Sequence, residues 1–183
     1  MALMYSKGMP LGTQAPDFDL IATDGLKYSL ANFSSASVLV IVFSCNHCPY
    51  VQATEDRFIE LQKQYTKDRV QFVFINANDA DKYKDDSFPN MQARAALKQY
   101  PFPYLWDSTQ VVAKAYDAAC TPDIFVFDTA RKLCYNGRLD DSWQNSSKVT
   151  SCDLARAIDA VLAHQKIQFK VIPSMGCSIK WKE

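Results

Sequence analysis

Two stretches of the chain are apolar on both alternating faces. "VLVIVF", Val38–Phe43, and "VQFVFIN", Val70–Asn76, lack the in-and-out alternation of a strand with one face in water. They therefore predict central strands covered on both sides. From about Cys48 to Tyr65 the pattern turns helical. Phe58, Leu61 and Tyr65 recur at helical spacing, and Glu, Lys and Gln fill the opposite face. Ahead of these, "DFDLIATDGLKYSL" predicts two short strands around Asp24-Gly25, a dipeptide suited to a hairpin turn. Downstream, "MQARAALKQY" and "QVVAKAYDA" predict two helices with "PFPYLWDS" connecting them, and "DIFVFD" and "KLCYNGR" predict a pair of strands. A last helix is expected over roughly 152–166, with Leu154, Ile158, Val161 and Leu162 on one face and a capping box from Thr150 and Asp153. The order hairpin, β-α-β, helices, β-β-α predicts an α/β sandwich with a mixed sheet, in which a right-handed crossover joins the two buried strands.

A length of 183 residues fits a single domain over 1–183 with a substantial core, and residues 167–183 are expected to form a C-terminal tail docked on it. Twenty basic residues balance twenty acidic ones, so no net charge steers the protein to nucleic acid or anionic membrane. The scattered aromatic residues form no base-stacking platform. The longest apolar run is too short to span a bilayer, and the N-terminal segment shows no signal-peptide core. The sequence thus predicts a cytoplasmic protein. Six cysteines is not a disulfide-scaffold density at this length. In a reducing compartment a close pair is expected to be catalytic or metal-binding.

Such a pair exists. "FSCNHCPYV" places Cys45 and Cys48 two residues apart, where the first buried strand ends and the helix begins. Pro49 is acceptable only in a first helical turn, which fixes Cys48 at the helix start. A thiolate there meets unpaired N–H groups and the positive end of the helix dipole, and both lower a thiol pKa. His47 is positioned to add positive charge or a hydrogen bond to the Cys45 thiolate and so tune its pKa. The expected mechanism has Cys45 as the exposed nucleophile and Cys48 as the resolving thiol. Further along, "CTPDIFVFD" puts Thr121-Pro122 just ahead of a buried strand, and X-Pro is the one bond where a cis peptide is cheap.

The C-x-x-C at a strand–helix junction followed by Thr-Pro before the next strand resembles the thioredoxin superfamily. More closely it is similar to the redoxin branch, the AhpC/TSA-like and peroxiredoxin-like proteins. "APDFDL", "DG", "FPYLWD", "AYDAACTPDIFVFD" and "YNGRLDD" look like landmarks of that branch. The resemblance implies a thioredoxin fold: a mixed central sheet flanked by helices, with an N-terminal β-hairpin extension and a C-terminal tail. It implies a cis Pro122 against the redox pair, and a Thr121 backbone offered to the extended chain of a substrate. It also implies a redox-active Cys45–Cys48 disulfide with no organic cofactor. The partners would be thiol or disulfide substrates, foremost proteins, with a reductase or glutathione to recycle the pair.

Other readings stay open at this level. One is a thiol peroxidase using one cysteine of the pair, although Pro-x-x-x-Thr-x-x-Cys is absent. Another is a metal carrier or sensor through Cys45, Cys48 and Cys120. Cys120 and Cys177 are possible auxiliary thiols. Cys134 and Cys152 read as packing residues, and "DADKYKDD" (79–86) as a solvated loop.

Overall fold

The computed structural model describes residues 3–183. In chain order the strands and α-helices are β1 (Leu3–Tyr5), β2 (Asp19–Ala22), β3 (Lys27–Ser29), β4 (Val38–Phe43), α1 (Pro49–Gln64), β5 (Val70–Asn76), α2 (Phe88–Lys98), β6 (Tyr104–Trp106), α3 (Val111–Ala115), β7 (Cys120–Thr121), β8 (Asp123–Phe127), β9 (Leu133–Asn136), α4 (Asp153–Leu162) and β10 (Met175–Ser178). Among the described residues no helix is long and apolar enough to cross a membrane.

The main sheet has the order β3-β2-β6-β5-β4-β8-β9. Its centre is the parallel pair β4 and β5, in register from Val38 opposite Val70 to Phe43 opposite Ile75. Strand β8 joins β4 on the other side, antiparallel. The apolar runs explain this placement, because all of β4 is buried and its period of two feeds separate cores. Val38, Val40 and Val42 pack with Phe72 and Phe74 beneath Phe58 of α1 and Leu154 and Ile158 of α4. Leu39, Ile41 and Phe43 face the opposite layer with Tyr116, Phe125 and Phe127.

Four expectations from the sequence are corrected. The "PFPYLWDS" connection contains a strand, β6, which pairs with both β5 and β2 and so carries the hairpin into the main sheet. Its three residues are too few to show a period. Helix α4 stops at Leu162 rather than near 166, because His164 takes φ 54°, a left-handed conformation that ends a helix. Its capping box does not form either. The Thr150 hydroxyl and N–H are given to Asp141, while Ser151 Oγ donates to Asp153. Cys152, at the N-cap of this helix, is exposed rather than packed.

The C-terminal segment returns to the site end of the molecule. Strand β10 pairs antiparallel with β1 on one side and β7 on the other, and Cys177 stands opposite both Leu3 and Thr121. The approach to β7 is so close that a Cβ on Gly176 would lie 2.0 Å from the Thr121 carbonyl oxygen. Only glycine fits there.

Candidate active site

Cys45 follows the end of β4, and Cys48 is the N-cap of α1 with Pro49 in the first turn. The Thr121–Pro122 peptide is cis and brings Thr121 between the two sulfurs. Cys45 Sγ lies 3.3 Å from Thr121 Oγ1, and Cys48 Sγ donates to the Thr121 carbonyl oxygen at 3.1 Å. On its other side Cys48 Sγ is 2.9 Å from Cys177 Sγ. Val51 completes the buried cluster around these three thiols.

Neither member of the pair is exposed: Cys45 is 1% accessible and Cys48 0%. The expectation of an exposed Cys45 nucleophile is therefore corrected, since strand β10 and the cis-proline segment lie over the sulfurs. The two thiols are shifted in opposite directions. Burial pushes the Cys45 thiol well up, helped by its hydrogen bond to Cys48 and by the Asp86 carboxylate. The Cys48 thiol is held well below an ordinary thiol by the hydrogen bond from Cys45, with Cys177 adding to it against the cost of burial. The Thr121 carbonyl, an acceptor only, favours the protonated form of Cys48. The hydrogen bond from Cys45 and the helix N-terminus oppose that carbonyl, so the two shifts together favour a thiolate on Cys48 over one on Cys45.

His47 does not serve Cys45 directly. Its Nδ1 lies 2.6 Å from Asp86 Oδ2, and its ring stacks on Tyr83 with centroids 5.2 Å apart. Asp86 is fully buried, within the segment read from sequence as a solvated loop. Asp86 Oδ1 accepts the Asn46 N–H at 2.6 Å, and Oδ2 accepts from Asn78 Nδ2 at 2.8 Å. The Asp86 carboxylate thus clamps the C-x-x-C loop from the inside. Nothing local in "DADKYKDD" separates Asp86 from its acidic neighbours; only the return of that loop to Asn46 does.

The His47–Asp86 pair gives a pH signature. The Asp86 hydrogen bond raises the His47 pKa against burial. Burial pushes Asp86 up, but hydrogen bonds from His47, Asn78 and the Asn46 backbone outweigh it and leave the carboxyl lowered. A raised imidazole stabilises the fold fully below its unfolded pKa of about 6.5, and this is lost as pH rises through the folded value. A lowered carboxyl stabilises above about 3.9, and this is lost as pH falls through the folded value. Urea denaturation across pH is expected to show a plateau between these limits. In His47→Gln the decline at the alkaline edge of the plateau disappears.

The remaining thiols divide. Cys120 is buried, its Sγ 3.6 Å from the Pro122 carbonyl, and burial drives its pKa far upward. It does not complete a three-sulfur set with Cys45 and Cys48. Among the described residues the metal-capable group is instead Cys45, His47 and Asp86, whose ligand atoms lie within 4.8 Å of one another. His47 Nδ1 and Asp86 Oδ2 already pair with each other there, while His47 Nε2 is buried without a hydrogen-bond partner. Thr121, expected to present its backbone to a substrate chain, is paired with Cys177 of β10. Beside Pro122 a cleft of about 140 Å³ is lined by Tyr5, Tyr50, Ile124, Leu139, Trp143 and Met175.

This arrangement, with its mixed sheet, flanking helices and two cysteines at the start of α1, defines a thioredoxin fold of the redoxin branch. The AhpC/TSA family model matches residues 11–136, and the chain belongs to that family. It is similar over its whole length to a solved structure titled as an uncharacterized conserved protein from Geobacillus kaustophilus. Identity is 46%, coverage is 100% of this chain and 97% of that one, and the TM-score is 0.95. A hypothetical protein from Sinorhizobium meliloti is 38% identical, with 97% of this chain and 98% of that one covered and a TM-score of 0.93. The peroxidoxin BcpB of Mycobacterium tuberculosis shares the fold at 21% identity and a TM-score of 0.63, covering 85% of this chain and 95% of that one. No curated protein matches the chain.

Proposed function

We propose that the protein is a thiol–disulfide oxidoreductase that exchanges a Cys45–Cys48 dithiol and disulfide with external thiols or disulfides. The carrying observation is the Cys48 sulfur, placed at a helix N-terminus with a hydrogen bond from Cys45 that favours its thiolate. Acting on a disulfide, the Cys48 thiolate attacks one sulfur, forms a mixed disulfide and releases one substrate thiolate. Cys45 then attacks Cys48 Sγ, closes Cys45–Cys48, and the second substrate thiol leaves with the proton Cys45 gives up. The reverse sequence oxidises a dithiol. Because both sulfurs are covered, the substrate reaches them when β10 lifts from β7. Thr121 then becomes available to the substrate backbone, with Pro122 and its adjoining cleft beside it.

In this reading the redox-active disulfide is the working group and no organic cofactor takes part. The substrate is a protein or small thiol or disulfide, recycled by a reductase or glutathione in the cytoplasm, without nucleic acid or membrane. His47 acts as a positioning residue through Asp86. A second reading, thiol peroxidase, is favoured by the same feature, a thiolate-bearing Cys48 with two thiols in contact to resolve a sulfenic acid. One equivalent of peroxide yielding stoichiometric sulfenic acid or disulfide at Cys48 within seconds would select it.

The test of the main reading is equilibration of metal-free protein in glutathione buffers, followed by acid quench, alkylation and mass mapping. Cys45 and Cys48 are expected to convert together at a potential between about −120 and −270 mV, the span of known exchange enzymes. A pair that stays dithiol throughout that span sinks the reading.

A further inference from the structure

The contact between β10 and the redox pair goes further than covering it. We infer that Cys177 is an internal exchange partner of Cys48, so that the disulfide migrates between Cys45–Cys48 and Cys48–Cys177. This rests on the oxidoreductase reading of the Cys45–Cys48 pair.

Three observations carry it. The Cys48 and Cys177 sulfurs are 2.9 Å apart, and a disulfide bond is about 2.0 Å long, so bond formation needs under ~1 Å of movement. Cys177 is not a stray tail residue, since it sits mid-strand with Leu3 paired on one side and Thr121 on the other. Gly176 permits that pairing, because any Cβ there would collide with the Thr121 carbonyl. The sheet therefore places one chosen thiol against the Cys48 sulfur. Cys120, nearer in sequence to the cis proline, turns its sulfur toward the Pro122 carbonyl instead.

The migration balances without a further reagent. Cys177, as its thiolate, attacks Cys48 Sγ of the Cys45–Cys48 disulfide. The Cys48–Cys177 bond forms, the Cys45–Cys48 bond breaks, and its electron pair leaves on Cys45 Sγ. Cys45 takes up the proton that Cys177 lost, and there is no net oxidation. The product ties β10 covalently to α1 and returns Cys45 to a thiol. Where Cys45 is absent, a small-molecule disulfide such as glutathione disulfide performs the same closure. Cys48 takes one glutathionyl group, Cys177 displaces it, and two glutathione thiols are released for two protein thiols oxidised.

The experiment maps disulfides in the full chain after equilibration with glutathione disulfide and acid quench, using wild type, Cys45→Ser, Cys177→Ser and Gly176→Ala. Circular dichroism of each variant establishes that it is folded. Wild type is expected to yield both the Cys45–Cys48 and Cys48–Cys177 peptides, and Cys45→Ser the Cys48–Cys177 peptide alone. Gly176→Ala, which displaces β10, should lower the Cys48–Cys177 fraction tenfold or more while Cys45–Cys48 still closes. Suppose instead that Cys177 is fully alkylated in wild type and in Cys45→Ser, while Cys177→Ser still closes Cys45–Cys48. The migration is then overturned and the oxidoreductase reading stands. If folded Cys177→Ser fails to close Cys45–Cys48, that reading falls and takes the migration with it.

Discussion

Replacing Cys48 by serine abolishes disulfide exchange, with an expected loss on the order of 10³-fold or more, the scale of removing a catalytic nucleophile. The same substitution removes the thiolate absorbance of the protein at neutral pH. Both effects follow from one sulfur holding several roles: the N-cap of α1, the acceptor from Cys45, and the neighbour of Cys177. Cys45→Ser should behave differently. The hydrogen bond from Cys45 is the largest influence lowering the Cys48 pKa, so a serine hydroxyl, a different donor at different reach, shifts the titration upward without erasing it. At pH 7 the thiolate fraction falls, and single-turnover attack on a disulfide slows while remaining measurable. Ultraviolet pH titration of wild type, Cys48→Ser and Cys45→Ser separates the assignments. A thiolate signal lost in Cys45→Ser and kept in Cys48→Ser would return the nucleophile to Cys45.

Asp86→Ala destabilises the fold by about 3–5 kcal/mol, the usual cost of removing one partner of a buried ionic pair. For a domain of this size that lowers the melting temperature by roughly 10 °C or more. Three donors converge on this fully buried carboxylate: the Asn46 backbone, Asn78 and His47. Its removal leaves each of them without that acceptor, and buried unmatched donors are costly. Asp86→Asn keeps the shape and one acceptor oxygen, so a smaller loss is expected. The redox pair responds too. The Asp86 charge raises Cys45, and its removal therefore lowers the Cys45 pKa while loosening the loop that positions it. Calorimetry and the same thiol titration read the two effects separately. A melting temperature within a couple of degrees of wild type in Asp86→Ala would show that the loop is held by something else.

Reading the chain alone found β4 and β5 because fully buried strands have no polar face to obscure them, and α1 because Phe58, Leu61 and Tyr65 mark its period. It missed β6, whose three residues carry no periodicity, and it overextended α4, whose end is set by the backbone at His164. The capping box at Thr150 was a plausible local pattern that lost to Asp141, another acceptor brought close in three dimensions.

At the site the division follows range. Legible along the chain is what is local: a C-x-x-C where a buried strand meets a helix, a proline that fixes the helix start, and a Thr-Pro before the next buried strand. Strand period, N-cap placement and proline sterics act over a few residues and can be read along one segment. The opposite shifts of the two cysteines, the anchoring of His47 and the loop by Asp86, and the contact of Cys177 with Cys48 from 129 residues away arise from the folded arrangement. Those outcomes depend on burial and on hydrogen bonds between distant segments, and neither exists until the sheet has assembled.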